Sequence, residues 1–116
     1  MADPDGTRAA LAAARQRALA RLAAVEREFG GIVESARDTS TDDEHDPEGA
    51  TLAFERQHLA AQASAARAAL AEIQAALDRL ADGSYGTCQA CGARMSAQRL
   101  AARPAARTCV GCARRR

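Results

Sequence analysis

Apolar residues recur in the first third of the chain with a spacing near three and a half. Leu11, Ala18, Val25 and Ile32 occupy one position of a seven-residue repeat, with Leu22 and Phe29 at the other. The same repeat resumes through Leu52, Leu59, Ala66, Ile73 and Leu80, accompanied by Ala63, Leu70 and Leu77. Such spacing puts each set on one narrow stripe of an α-helix. Arg15 and Arg56 interrupt the stripes, and each can lay its aliphatic stem over the seam while its guanidinium reaches water. Asp3-Pro4 and Asp46-Pro47-Glu48 are helix starts, with a capping acid followed by proline at the first helical position, and Asp82-Gly83 is a glycine stop. The pattern therefore predicts helices from about Arg8 to Arg37 and from Pro47 to Ala81. Gly30-Gly31 marks an expected kink or weak point in the first helix. Residues 34–45 show no apolar period and read as the turn between the two helices.

Two long helices with narrow stripes and a short connection bury those stripes most directly against each other, which gives an antiparallel coiled-coil hairpin. A monomer is expected; pairing of the same stripes between chains is the competing arrangement. Composition narrows the picture further. Of the 116 residues 47% are hydrophobic, but 32 are alanine, there is no Trp, and only one Tyr and two Phe occur. A thick core is beyond such a chain, whereas a thin helical seam with a metal staple is within reach.

The staple is visible in the cysteines. The chain has four, as Cys88-Gln-Ala-Cys91 and Cys109-Val-Gly-Cys112, with seventeen residues between the pairs. Two C-x-x-C turns at this separation can present four thiolates to one tetrahedral zinc. Two disulfides would need an oxidising compartment, yet residues 1–8 lack the apolar core of a secretion signal and no stretch approaches membrane-span length. A redox C-x-x-C usually comes singly beside a βαβ pattern, which is missing. One structural Zn2+ held by Cys88, Cys91, Cys109 and Cys112 is expected, in a cytoplasmic protein. Between the pairs, Ser96 to Arg103 followed by Pro104 predicts one short capped helix across the metal site, with Tyr85, Met95 and Leu100 available to cover it. The fold class is thus mostly α: a coiled-coil hairpin over residues 1–82, with a tip loop at about 38–49, followed by a four-cysteine zinc-finger base over 83–116.

Net charge is only +1, but it is unevenly placed. Six acids and no basic residue lie between Asp38 and Glu48, whereas seven arginines and no acid lie between Gly83 and Arg116. This polarity bears on partners rather than on fold. The arginines raise the alternative of a zinc-dependent nucleic-acid-binding or protein-interaction module, but no aromatic platform or recognition helix accompanies them, so direct DNA binding is disfavoured. No nucleophile–base arrangement is present, and a zinc closed by four sulfurs leaves no position for substrate, so an enzyme is not expected. His45 reads as a loop residue and His58 as a helix-surface residue.

The C-terminal residues resemble the DksA/TraR family of bacterial C4-type zinc-finger transcription regulators. The likeness is carried by Gly83-Ser-Tyr85-Gly86-Thr-Cys88-Gln-Ala-Cys91-Gly92, then Arg99-Leu100-Ala-Ala102-Arg-Pro104-Ala-Ala106, then Cys109-Val-Gly-Cys112. Over the rest of the chain it is a likeness of architecture. It implies a coiled-coil finger that binds RNA polymerase, enters the secondary channel and presents acids near the catalytic magnesium to modulate initiation. The tip candidates are Asp42, Asp43, Glu44, Asp46, Glu48 and Ala50. Asp46 with Glu48, followed by Ala50, and Asp43 with Asp46 both offer paired acids there. The long C-terminal helix of larger family members is reduced here to Ala113 and three arginines.

Overall fold

The structure is a computed structural model and describes residues 4–38 and 47–115, without the side chains of Pro4, residues 33–38, Pro47 and Glu48. Four helices follow in order: α1 (Pro4–Asp38), α2 (Pro47–Asp82), α3 (Ala97–Ala102) and α4 (Val110–Arg114). Both long helices begin at the proline that marks them in the sequence. A proline there forfeits no helical hydrogen bond, because the first N–H groups of a helix have no partner. Among the described residues the sole β pairing is an isolated antiparallel bridge between Thr87 and Arg94. No helix among them is long and apolar enough to cross a membrane.

α1 and α2 form the long helical hairpin, and their contacts fall into two compact units. One comprises Met1–Arg17 with Ala69–Arg116, and the other Ala18–Ala68. In the second unit Val25 packs with Leu59 and Ala63, flanked by Leu22 and Ile32. In the first, Leu11 packs with Ile73, Ala76 and Tyr85, and Ala14, Leu77, Leu80, Leu100 and Ala105 close around them. Two heptads back along α1, from Val25 to Leu11, the partners lie two heptads forward along α2, from Leu59 to Ile73. That opposite progression is the signature of antiparallel pairing.

Alanine shapes this seam. Ala18 and Ala76 are fully buried, and Ala63 and Ala66 nearly so. Phe29, expected on the seam, is instead 36% exposed and lies under the guanidinium of Arg56, 6.0 Å from the ring centroid. The two residues thus cover each other outside the seam, a cation–π contact worth about 0.5–1 kcal/mol at an exposed site. α1 runs through Gly30-Gly31 without interruption, although both positions are exposed and a side chain at either would enter open space. Among the described residues Phe54 is the most exposed large apolar one, at 75%. It lines a groove of about 800 Å³ together with Glu28, Gly31, Ile32, Leu52, Glu55, His58 and Leu59.

Candidate metal centre

The metal centre is built outward from the end of α2. The carbonyl of Arg79 accepts the N–H groups of Ser84 (3.0 Å) and Tyr85 (3.2 Å), and Gly83 turns through a left-handed φ of 86°. This is the glycine-terminated helix stop, in which the overrunning amides satisfy a carbonyl of the last turn. Asp82 fixes the same turn by accepting from the hydroxyl (2.6 Å) and the N–H (2.9 Å) of Ser84. Those two bonds hold its carboxyl below the usual aspartate range.

The chain then folds back on itself around the first cysteine pair. Cys88 N–H donates to the Ala93 carbonyl at 2.8 Å, Met95 N–H to Gly86 at 2.8 Å, and Gly92 N–H to Cys88 at 2.9 Å. Gly92, directly after Cys91, has a φ of 77°, a left-handed value that costs glycine least. α3 follows, with the Ser96 hydroxyl accepting the Arg99 N–H at 3.1 Å as its N-cap. The expected helix between the cysteine pairs is therefore present, from Ala97 to Ala102. The second pair lies at the start of α4, where Cys109 is the N-cap and its sulfur accepts from Cys112 N–H at 3.5 Å.

These turns bring all four sulfurs within 4.8 Å of one another. Cys91 Sγ lies 4.0 Å from Cys109 Sγ, and Cys109 N–H points at Cys88 Sγ at 3.3 Å. A tetrahedral zinc with Zn–S bonds of about 2.3 Å sets its ligands about 3.8 Å apart. The thiols therefore need only a small contraction to close on one ion, and the all-sulfur donor set suits zinc. No disulfide joins them.

Electrostatics favour the same chemistry. The N–H groups of Cys109 and Cys91 stabilise a thiolate at Cys88 and bring its pKa down to about 6. The N–H of Cys112 lowers Cys109 in the same way. Cys112 is pushed up to about 12, chiefly because its protonated thiol is held by hydrogen bonds to the Cys109 and Cys88 sulfurs, with desolvation and the nearby negative charge adding to the effect. A bound dication reverses that penalty and deprotonates coordinating thiols.

Tyr85, singled out in the sequence, and several arginines that sequence reasoning left on the surface build the surroundings of the site. Tyr85 is buried and donates its hydroxyl to the Pro104 carbonyl at 2.7 Å, and its burial pushes the phenol pKa up. Arg79 is buried as well and reaches the Ala106 carbonyl at 3.4 Å. Arg99, grouped in the sequence with the basic surface, instead directs Nε and Nη2 at the Thr108 carbonyl, at 3.2 and 3.0 Å. Arg107 pairs with Glu72 of α2 at 2.7 Å. Their hydrogen bond holds the Glu72 carboxyl below its ordinary value and raises the Arg107 pKa. α4 was likewise not anticipated. In the sequence only the run of arginines hinted at where the basic side chains would go, since carbonyl partners leave no mark there.

Of the tip candidates, Asp42, Asp43, Glu44 and Asp46 lie outside the described residues, as does His45. Glu48 falls in the first turn of α2 and Ala50 is exposed just beyond it. His58 is on the helix surface, 3.1 Å from Gln62.

Comparison with known proteins agrees with this geometry. The prokaryotic dksA/traR C4-type zinc finger matches residues 83–116. No curated protein matches the chain. Among solved structures, that of the transcription factor DksA2 from Pseudomonas aeruginosa is 31% identical, with a TM-score of 0.76 over 97% of this chain and 81% of that one. The likeness thus extends well beyond the finger and takes in the helical hairpin. The finger match and the four gathered thiols together establish one structural zinc ion as the cofactor. With its hairpin and its four-cysteine base both matched, the chain belongs to the DksA/TraR family of C4-type zinc-finger transcription factors.

Proposed function

We propose that this protein is a cytoplasmic, monomeric regulator that binds RNA polymerase and extends the acidic tip of its hairpin into the secondary channel to modulate initiation. In this reading Cys88, Cys91, Cys109 and Cys112 hold the zinc that stabilises the base. Asp42, Asp43, Glu44, Asp46 and Glu48 supply the acidic tip, and Ala50 lies beside it. The observation that carries the reading is that likeness to a transcription factor spans 97% of the chain, hairpin included. A nucleic-acid module would need only the finger.

The charge layout gives the proposal a physical basis. Carboxylates on a narrow helical hairpin can approach a metal-centred active site, and electrostatic groups so placed act on charge developing at that site. The protein would act in trans on the polymerase's chemistry and not as an enzyme itself. The basic surface is less available to DNA than the sequence suggests, because Arg99 is engaged with Thr108 and Arg107 with Glu72.

The test is core RNA polymerase binding and promoter-dependent transcription with wild type and with Asp46→Asn combined with Glu48→Gln. The variant is expected to bind polymerase as wild type does and to lose its effect on initiation. An unchanged effect would refute the role of these acids, and failure of the wild type to bind would refute the partner.

A further inference from the structure

Residues 104–108 form the approach to the second cysteine pair, and donors from elsewhere in the fold hold almost every carbonyl along it. The Tyr85 hydroxyl takes that of Pro104, Arg79 that of Ala106, the Gln89 N–H that of Arg107 (2.9 Å), and Arg99 that of Thr108. The donors come from α2, from the turn that follows it, from the first cysteine turn and from α3. None of these bonds involves a sulfur, so a metal is not needed to form them. The segment ends directly on Cys109, whose N–H meets Cys88 Sγ and whose sulfur caps α4.

We infer that this strap presets the second thiol pair for zinc and that Arg99 is its principal positioning residue. Arg99 grips the last carbonyl before Cys109, and it does so with two guanidinium N–H groups at once. Two donors on one acceptor fix direction as well as distance, and Arg supplies them from a planar fork that Lys cannot reproduce. The root of Arg99 is fixed in turn, because the Ser96 hydroxyl caps α3 at the Arg99 N–H. Arg99 touches no thiol, so it acts on the metal only by placing Cys109 and, through the Cys109–Cys112 turn, its partner. Groups that orient metal ligands in this way typically change affinity 10- to 100-fold when removed.

The test is the zinc dissociation constant of the whole protein, by competition with a chromophoric chelator. It is run for wild type, Arg99→Gln, Arg99→Lys and, as a charge control, Arg103→Gln on the exposed end of α3. Thiolate-to-cobalt absorption of the Co2+-substituted proteins and helical melting of the metal-free proteins are followed alongside. Arg99→Gln is expected to weaken zinc binding about 10- to 100-fold, with a perturbed cobalt spectrum and an unchanged metal-free melting curve. Arg99→Lys, which keeps the charge but not the fork, should recover only part of that loss, and Arg103→Gln should bind as wild type. The proposal is overturned if Arg99→Gln binds zinc normally, if Arg99→Lys binds as tightly as wild type, or if Arg103→Gln weakens binding equally. Should Arg99→Gln lose its hairpin melting transition, Arg99→Lys decides alone: normal affinity overturns the proposal and weakened affinity sustains it.

Discussion

One chemical change, glycine to alanine, should stabilise this protein at two positions and destabilise it at a third. Gly30 and Gly31 lie inside α1, show no positive φ, and would place an added Cβ in open space with no heavy atom within 4 Å. Glycine in a helix interior costs about 0.8–1.0 kcal/mol relative to alanine, mainly in backbone entropy. The double variant Gly30→Ala, Gly31→Ala should therefore gain nearly 2 kcal/mol, about a 25-fold shift in the unfolding equilibrium. Gly86 presents the opposite case. Its φ is 88°, and its added Cβ would meet Leu100 Cδ1 at an ordinary 3.5 Å, so the penalty is conformational and not steric crowding. A left-handed conformation costs a residue with a Cβ roughly 1–2 kcal/mol. Urea unfolding of the zinc-loaded proteins, followed by far-ultraviolet circular dichroism, measures all three. A double variant that is neutral or less stable than wild type would refute the continuity of α1 through residues 30 and 31. A Gly86→Ala protein as stable as wild type would refute the left-handed turn.

Three further outcomes are expected. Cys109→Ser should lose the four-sulfur site, and since structural zinc contributes on the order of 10 kcal/mol of apparent folding free energy in small modules, the amides of residues 86–95 and 109–115 should lose their NMR dispersion. Normal zinc stoichiometry and unchanged spectra would contradict the site. Ile73→Ala, in the cluster with Leu11 and Ala76, should destabilise by about 2–4 kcal/mol in the same urea assay; a cost below about 0.5 kcal/mol would place Ile73 outside the core. The Glu72 carboxyl should titrate below the ordinary value of 4.5 by NMR, and Arg107→Gln should return it to that range. A depressed carboxylate pKa contributes stability above the unfolded-state value and loses it as pH falls through the folded-state value. The pair therefore matters at neutral pH and vanishes in acid. An unmoved Glu72 titration in Arg107→Gln would show that the ion pair does not form.

The elements most legible in the sequence were those with local causes. Pro4, Pro47 and Gly83 mark helix ends because capping chemistry is settled within a few residues. Leu11, Val25, Leu59 and Ile73 announce the seam because a helix converts spacing directly into a shared face. The two C-x-x-C turns likewise contain most of their own geometry. What the sequence concealed depends on contacts across long separations. Arg79 and Arg99 look like surface arginines until residues 104–108 are seen to pass beside them and offer the Ala106 and Thr108 carbonyls as acceptors. Phe29 occupies a seam position by count, yet it lies against Arg56 and not in the seam. Ala76 falls off the strict heptad but is fully buried, because Tyr85 and Leu100 pack on the adjoining face of α2 and widen its apolar stripe.

The buried alanines set a one-sided rule for how this protein can change. At Ala18, Ala63, Ala66 and Ala76 the side chain is already the smallest that still favours a helix. Spacing between packed helices follows the size of the residues at the contact, so a valine or leucine at any of these positions would wedge the pair apart, whereas glycine would loosen the helix itself. Neighbouring leucines can be exchanged for other side chains of similar volume; the alanines have no such alternative. Variation in descendants of this sequence should therefore accumulate on the outer faces of α1 and α2, with the small seam positions acting as a gauge that admits a single size.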